Sequence, residues 1–232
     1  MLLGTFDPTE YSPKWFHESE LVGSDALLGA DIQFITPQAA MFELGWLRVE
    51  VMPNRLALMT LDPLEHIRLQ DAMLGLLRLR DTLDLTAMGL NRHVHLNFEN
   101  NVPSWHRIGD ELAPKQQFWA DLLSLPGMLG LSMQGVRSDD YSGHILVNVQ
   151  NSNVIRPGIF VEHNDHYTLT RATDAPTSRD EIMLAQPDLS ETSTAEERYE
   201  TALEILQLQW DSSMASMDTL LTRIILLGQP YG

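Results

Sequence analysis

The amino-acid sequence predicts an α+β fold: a largely antiparallel sheet, in the element order β-β-α-β-α-β-β-β-α, with helices packed on one face. Three observations carry this. First, β-patterned stretches follow one another through short turns, at 47–60 and again at 129–170, and such runs favour an antiparallel sheet over a doubly wound one. Second, Asp62-Pro63-Leu64-Glu65 is a helix start: an N-cap, a proline at the first helical position and an acidic residue three places on. Third, Thr194 to Leu227 contains neither Pro nor Gly, and Tyr199, Leu203, Leu206, Trp210, Met214, Met217, Leu221 and Ile224 recur in it every three or four residues as one apolar stripe.

Residues 1–31 read as an N-terminal arm. Gly4, Pro8, Pro13, Gly23 and Gly29 punctuate it, and Trp15 and Phe16 anchor it to the body. The body spans 32–170. Leu47, Val49 and Val51 alternate with Arg48 and Glu50 as a half-buried strand, Pro53-Asn54 turns, and Leu56, Leu58 and Thr60 return, a hairpin over 42–60. The helix from Asp62 carries the stripe Leu69, Ala72, Leu76, Leu79 and Leu83. In the strand from Met88 to Phe98, Val94, Leu96 and Phe98 face one way and Asn91, His93, His95 and Asn97 the other. Short helices are expected over 103–125, with Phe118, Trp119, Leu122 and Leu123 as an apolar face. Three strands follow in meander order, with Leu129, Leu131 and Met133 in the first and Ile145, Val147 and Val149 in the second. The last two runs, 159–163 and 166–170, flank Asn164-Asp165 as a two-residue hairpin loop. Residues 171–193 are an acidic connecting segment. The C-terminal helix, 194–228, packs on the body as part of a single domain. Thr194 and Glu197 have capping-box spacing, the helix would reach about 50 Å if continuous, and Asp211-Ser212-Ser213 is where it is expected to bend.

Composition narrows the function. With 15 Lys and Arg against 32 Asp and Glu, the net charge is −17. Such a chain repels phosphate, which disfavours direct nucleic-acid binding and anionic membranes, and its electrostatic match is a protein partner with a basic surface. There is no cysteine, so disulfides, iron–sulfur clusters, thiolate zinc and cysteine nucleophiles are excluded. The first residues lack the basic and apolar runs of a signal peptide, and no stretch is long enough to span a membrane, so a cytoplasmic protein is expected. Neither a G-x-S-x-G nucleophile elbow nor a phosphate loop occurs.

Trp46-Leu47-Arg48-Val49-Glu50-Val51 and Leu56-Ala57-Leu58-Met59-Thr60, followed by a helix, a polar-faced strand and a closing C-terminal helix, give the chain a resemblance to a family of sporadically distributed bacterial proteins of similar length. The resemblance brings no activity and no functional residue. Together with the charge, it implies a setting in bacterial defence, antiviral or toxin-neutralising.

Two sets of candidate residues follow. His93 and His95 place two imidazoles on one strand face, and His163 and His166 flank the expected loop. If the pairs met, four imidazoles could hold zinc or another divalent transition metal, with Glu162, Asp165 or Glu99 adding a carboxylate; otherwise no cofactor is expected. The plainer reading is a polar strand face and a polar hairpin end far apart. The second set serves a partner: Asp180, Glu181, Asp188 and Glu191 in the acidic segment, with Trp15 and Trp105 near prolines as interface aromatics. The expectation is a non-catalytic acidic subunit that assembles with another protein, with a metal-dependent hydrolase using the histidines as the alternative.

Overall fold

The structure is a computed structural model, and it describes residues 1–115, 118–119, 121–171 and 193–229. It has the expected α+β architecture. The strands are β1 (Leu2–Gly4), β2 (Ala30–Ile35), β3 (Ala40–Leu44), β4 (Leu47–Met52), β5 (Arg55–Met59), β6 (Leu85–Asn97), β7 (Gly130–Val136), β8 (Tyr141–Asn151) and β9 (Gly158–Arg171). They form a nine-stranded antiparallel sheet in the order β2-β3-β4-β5-β1-β6-β9-β8-β7. Among the described residues the α-helices are α1 (Pro13–Glu18), α2 (Ser24–Leu28), α3 (His66–Leu79), α4 (Val102–Leu112), α5 (Ala195–Leu208) and α6 (Trp210–Leu227). The chain divides into two compact units. The first comprises Met1–Gly89, Asp139–Gly143 and Tyr167–Trp210; the second comprises Leu90–Ser138, His144–His166 and Asp211–Gly232.

In the first unit the alternation at Leu47, Val49 and Val51 is realised in full: all three are completely buried, while Arg48 and Met52 face out. The expected hairpin is a longer meander, because Gly45-Trp46 makes a further two-residue loop between β3 and β4. Gly45 takes φ of +62°, which a side chain would oppose. Residues 1–31 are more than an arm. β1 pairs with both β5 and β6, and Phe16 is fully buried with its ring edge-on to Phe42 at 5.7 Å. The Asp62 cap forms as expected, its Oδ1 accepting the Leu64 N–H at 2.9 Å, ahead of a 3-10 turn that leads into α3. The buried face of α3 is Ala72, Met73, Leu74, Leu76 and Leu77; Leu79, expected on the stripe, is half exposed. α5 packs on α3, where Tyr199 Oη donates to the Leu77 carbonyl at 3.0 Å and Gln70 Nε2 donates to the Leu206 carbonyl at 2.6 Å. The Thr194–Glu197 capping box is complete, with bonds of 2.7 and 3.1 Å.

The expected single C-terminal helix is two. The chain breaks at Gln209, upstream of Asp211-Ser212-Ser213; α5 belongs to the first unit, and α6 beyond its first residue, Trp210, to the second. Of the stripe, Tyr199, Leu206, Trp210, Met217 and Ile224 are buried, while Leu203, Met214 and Leu221 are half-buried.

In the second unit α4 and α6 cover one sheet face. Ile108, Met217 and Ile224 meet Val149, Ile159 and Val161 there, with Val94, Leu96 and Phe98 alongside. The α6 end is held by α4, since Ser104 Oγ donates to the Gly228 carbonyl at 2.6 Å; a Cβ at residue 228 would stand 3.1 Å from that of Ser104. Two expectations fail here. Phe118, Trp119, Leu122 and Leu123 form no covered helix face: all four are exposed. The hairpin loop at Asn164-Asp165 is also wrong. β9 runs unbroken from Gly158 to Arg171, because the Asp165 carboxylate has an ion-pair partner in Arg137 and can be buried in mid-strand.

Candidate functional site

Among the described residues no helix covers the other sheet face of the second unit, and strand alternation decides what stands on it. His93 and His95 of β6, Phe160, Glu162 and His166 of β9, and His144 and Asn148 of β8 occupy this face; Val94, Val161 and Val149 occupy the other. The polar groups are tied across the strands. Ser132 Oγ of β7 donates to Asn148 Oδ1 at 2.5 Å, Asn148 Nδ2 donates to Glu162 Oε2 at 2.8 Å, and the other carboxylate oxygen lies 3.2 Å from His93 Nε2. One hydrogen-bonded row thus crosses four strands. Beside it the Phe160 ring packs against His95 at 4.8 Å and His93 at 5.5 Å.

His95 has a second anchor. Ser152 Oγ accepts the N–H groups of Val154 and Ile155 at 3.1 and 2.9 Å, so its own proton goes to His95 Nδ1, 2.8 Å away. That fixes the tautomer with the proton on Nε2, facing away from Ser152. Ser152 is buried, with its lone pairs committed to a turn, which is not the arrangement of an activated nucleophile.

The four histidines singled out from sequence do not converge. His93, His95 and His166 share the open face, but His163 lies on the opposite side of β9, buried with Asp165. Burial lowers the His163 pKa; the Asp165 carboxylate opposes this, and Arg137 and Arg92 reinforce it. Among the described residues, no group of three or more His, Cys, Asp or Glu side chains is placed to hold a metal ion. His166 is paired instead with His144, a residue the sequence reading passed over. The two rings stack across β8 and β9 with centroids 4.6 Å apart and planes at 28°. Desolvation lowers both pKa values, and nearby Arg137 adds to it. The signal for His144 was the alternation His144, Leu146, Asn148, Gln150, but its neighbour across the sheet depends on a register no local pattern states.

The partner candidates are placed as follows. Trp15 is half-buried, edge-on to Tyr11 and Phe16, with the Arg80 guanidinium 4.9 Å above its ring. Trp105 is half-buried against the α4–α6 core and His106. Both rings are thus engaged in internal packing. Asp180, Glu181, Asp188 and Glu191 lie outside the described residues. The apolar surface is elsewhere: between α4 and β7, Phe118, Leu122, Leu125 and Leu129 are 64, 65, 95 and 82% exposed. Charge is also uneven. The first unit carries nine Arg and Lys against 24 Asp and Glu, net −15. The second carries six against eight, net −2, with six of the eight histidines. No helix among the described residues is long and apolar enough to cross a membrane.

These features define an α+β protein whose second unit presents an open polar-aromatic sheet face and an exposed apolar segment. No family model matches the chain, and neither a curated protein nor a solved structure is significantly similar to it.

Proposed function

We propose that this protein is a non-catalytic interaction subunit that binds another protein. The observation that carries the reading is the exposed run of Phe118, Trp119, Leu122, Leu123, Leu125 and Leu129. Large apolar side chains grouped on a surface are unfavourable in water and mark places that a partner covers. The net −15 of the first unit supports a partner with a basic surface, drawn in by long-range attraction. A setting in bacterial defence or toxin neutralisation rests on the family resemblance and the charge. The metal-dependent hydrolase is not carried forward, because its four histidines stand on two faces of the sheet.

The test is co-purification of the full chain from its native cells, wild type beside Phe118→Ser/Leu122→Ser. The expected result is a stoichiometric protein that accompanies the wild type, dissociates more readily as salt rises, and is lost from the variant while the thermal midpoint stays put. Undiminished recovery with the variant would show that this segment is not the contact, and a wild type that emerges alone and monomeric would overturn the reading.

A further inference from the structure

We propose that His144 and His166 form a binding site for one divalent transition metal ion. Their rings already stack across neighbouring strands, 4.6 Å between centroids. The Asn148–Glu162 contact and the backbone bond from the Ser152 N–H to the Gly158 carbonyl share one antiparallel register between β8 and β9, and that register sets His144 opposite His166. Two imidazole nitrogens on one ion at about 2.0–2.1 Å stand roughly 3.3 Å apart in tetrahedral geometry. The rings begin stacked, with planes at 28°, and would have to turn about their side-chain torsions to bring two nitrogens to that separation. An oxygen is also available. Asn164 stands two residues before His166 on the same face, and its Oδ1 is shielded from water with no hydrogen-bond donor. A metal ion would satisfy that lone pair, and water would complete the coordination.

The donor set decides the class of ion. Two neutral imidazoles with an amide oxygen and no carboxylate suit Zn(II), Ni(II) or Cu(II), and do not suit Ca(II) or Mg(II), which need several oxygen ligands. The nearest cation, Arg137, is an obstacle that the structure offsets, since its guanidinium is ion-paired with Asp165. Both histidines are half-buried, within reach of an ion from solvent. The site shares only His166 with the four-histidine set read from sequence.

The experiment is titration of the untagged full chain with Zn(II) alone, followed by calorimetry. One equivalent is expected, and His144→Gln and His166→Gln should each weaken binding by about tenfold or more, while His93→Gln/His95→Gln keeps the wild-type affinity. Nitrogen-15 spectra of wild-type imidazoles give a readout that needs no variant. Substoichiometric Ni(II) should broaden His144 and His166 first. No uptake of Zn(II), first broadening at His93 and His95, or loss of binding only in the His93/His95 variant would each overturn the assignment.

Discussion

Replacing Asp165 by Asn separates two descriptions of the same residue. In an Asn-Asp loop its carboxylate would be solvated, and the change would cost no more than about 0.5 kcal/mol, as for an ordinary surface site. In the structure Asp165 stands in mid-strand on the helix-covered side of β9, and its side chain and that of Arg137 are each only 5% exposed. The amide keeps the shape but removes a buried charge that faces the guanidinium. Breaking a buried pair by altering one partner costs about 3–5 kcal/mol, because a charge is left where water cannot reach it. With a urea m-value of about 1–3 kcal/mol/M, that is a fall in midpoint of more than about 1 M. Urea unfolding followed by tryptophan fluorescence and by circular dichroism measures it. Arg137→Met should cost a similar amount. The double variant Arg137→Met/Asp165→Leu should lose less than either single change, since an apolar pair of similar volume leaves no stranded charge. His163 supplies a second readout. The Asp165 carboxylate raises its pKa against desolvation, so Asp165→Asn should lower it further. A stability within about 0.5 kcal/mol of wild type at unchanged m, or strictly additive single changes, would refute the buried pair.

Two further outcomes are expected. Trp210→Ala, which empties a site only 7% exposed on the C-terminal stripe, should destabilise the fold by about 3–5 kcal/mol; an unchanged unfolding midpoint would show that the ring is not core. Stability should also respond to His163. Its folded pKa is lowered, so the unfolded chain binds its proton first, and the contribution is full above the usual histidine range and is lost as pH falls through about 6.5. The difference between wild type and His163→Gln, measured by thermal unfolding from neutral pH down to about 5.5, isolates this from the carboxylates; a difference that does not narrow in favour of the variant on acidification would contradict it.

What could be read from the sequence was what local chemistry dictates. Thr194 with Glu197 and Asp62 with Pro63 carry their partners within three residues, and both caps form. Val49 and Val51 alternate with charged residues and are buried. The split of β6 into Val94, Leu96 and Phe98 against His93 and His95 is also realised, because a period of two leaves no other choice once helices cover one side. The misreadings share a cause. Asn164-Asp165 has the composition of a turn, yet it lies in mid-strand, where Asp165 pairs with Arg137, 28 residues away. Phe118 and Trp119 have the composition of a core, yet nothing in the described structure packs over them. Gln209 interrupts the last helix with neither Pro nor Gly to announce it, so no propensity rule marks the break. The candidate site was legible as one polar strand and illegible as a site, since the bonds from His93 to Glu162 to Asn148 to Ser132 join four strands through register alone.

The distribution of charge sets how the second unit can respond to its surroundings. A unit of net −15 is held in solution by repulsion and changes little near neutral pH, where carboxylates stay ionised and arginine stays protonated. The second unit is different in kind: its formal charge is −2, and six histidines are its groups with ordinary pKa values nearest neutrality. In three of them, His144, His163 and His166, burial is the largest cause of a lowered pKa, which favours the neutral imidazole, the form that binds a transition metal. His93 and His95 instead serve the open face as hydrogen-bonding groups, one on Glu162 and one on Ser152. The same side chain thus has two assignments within one sheet, and the difference lies in what each ring meets across the strands: a carboxylate or hydroxyl partner for the β6 pair, and a second imidazole for His166. A pair of imidazoles that face each other cannot both donate and cannot both be charged without repulsion, so an ion that accepts from both resolves what the protein's own groups leave open.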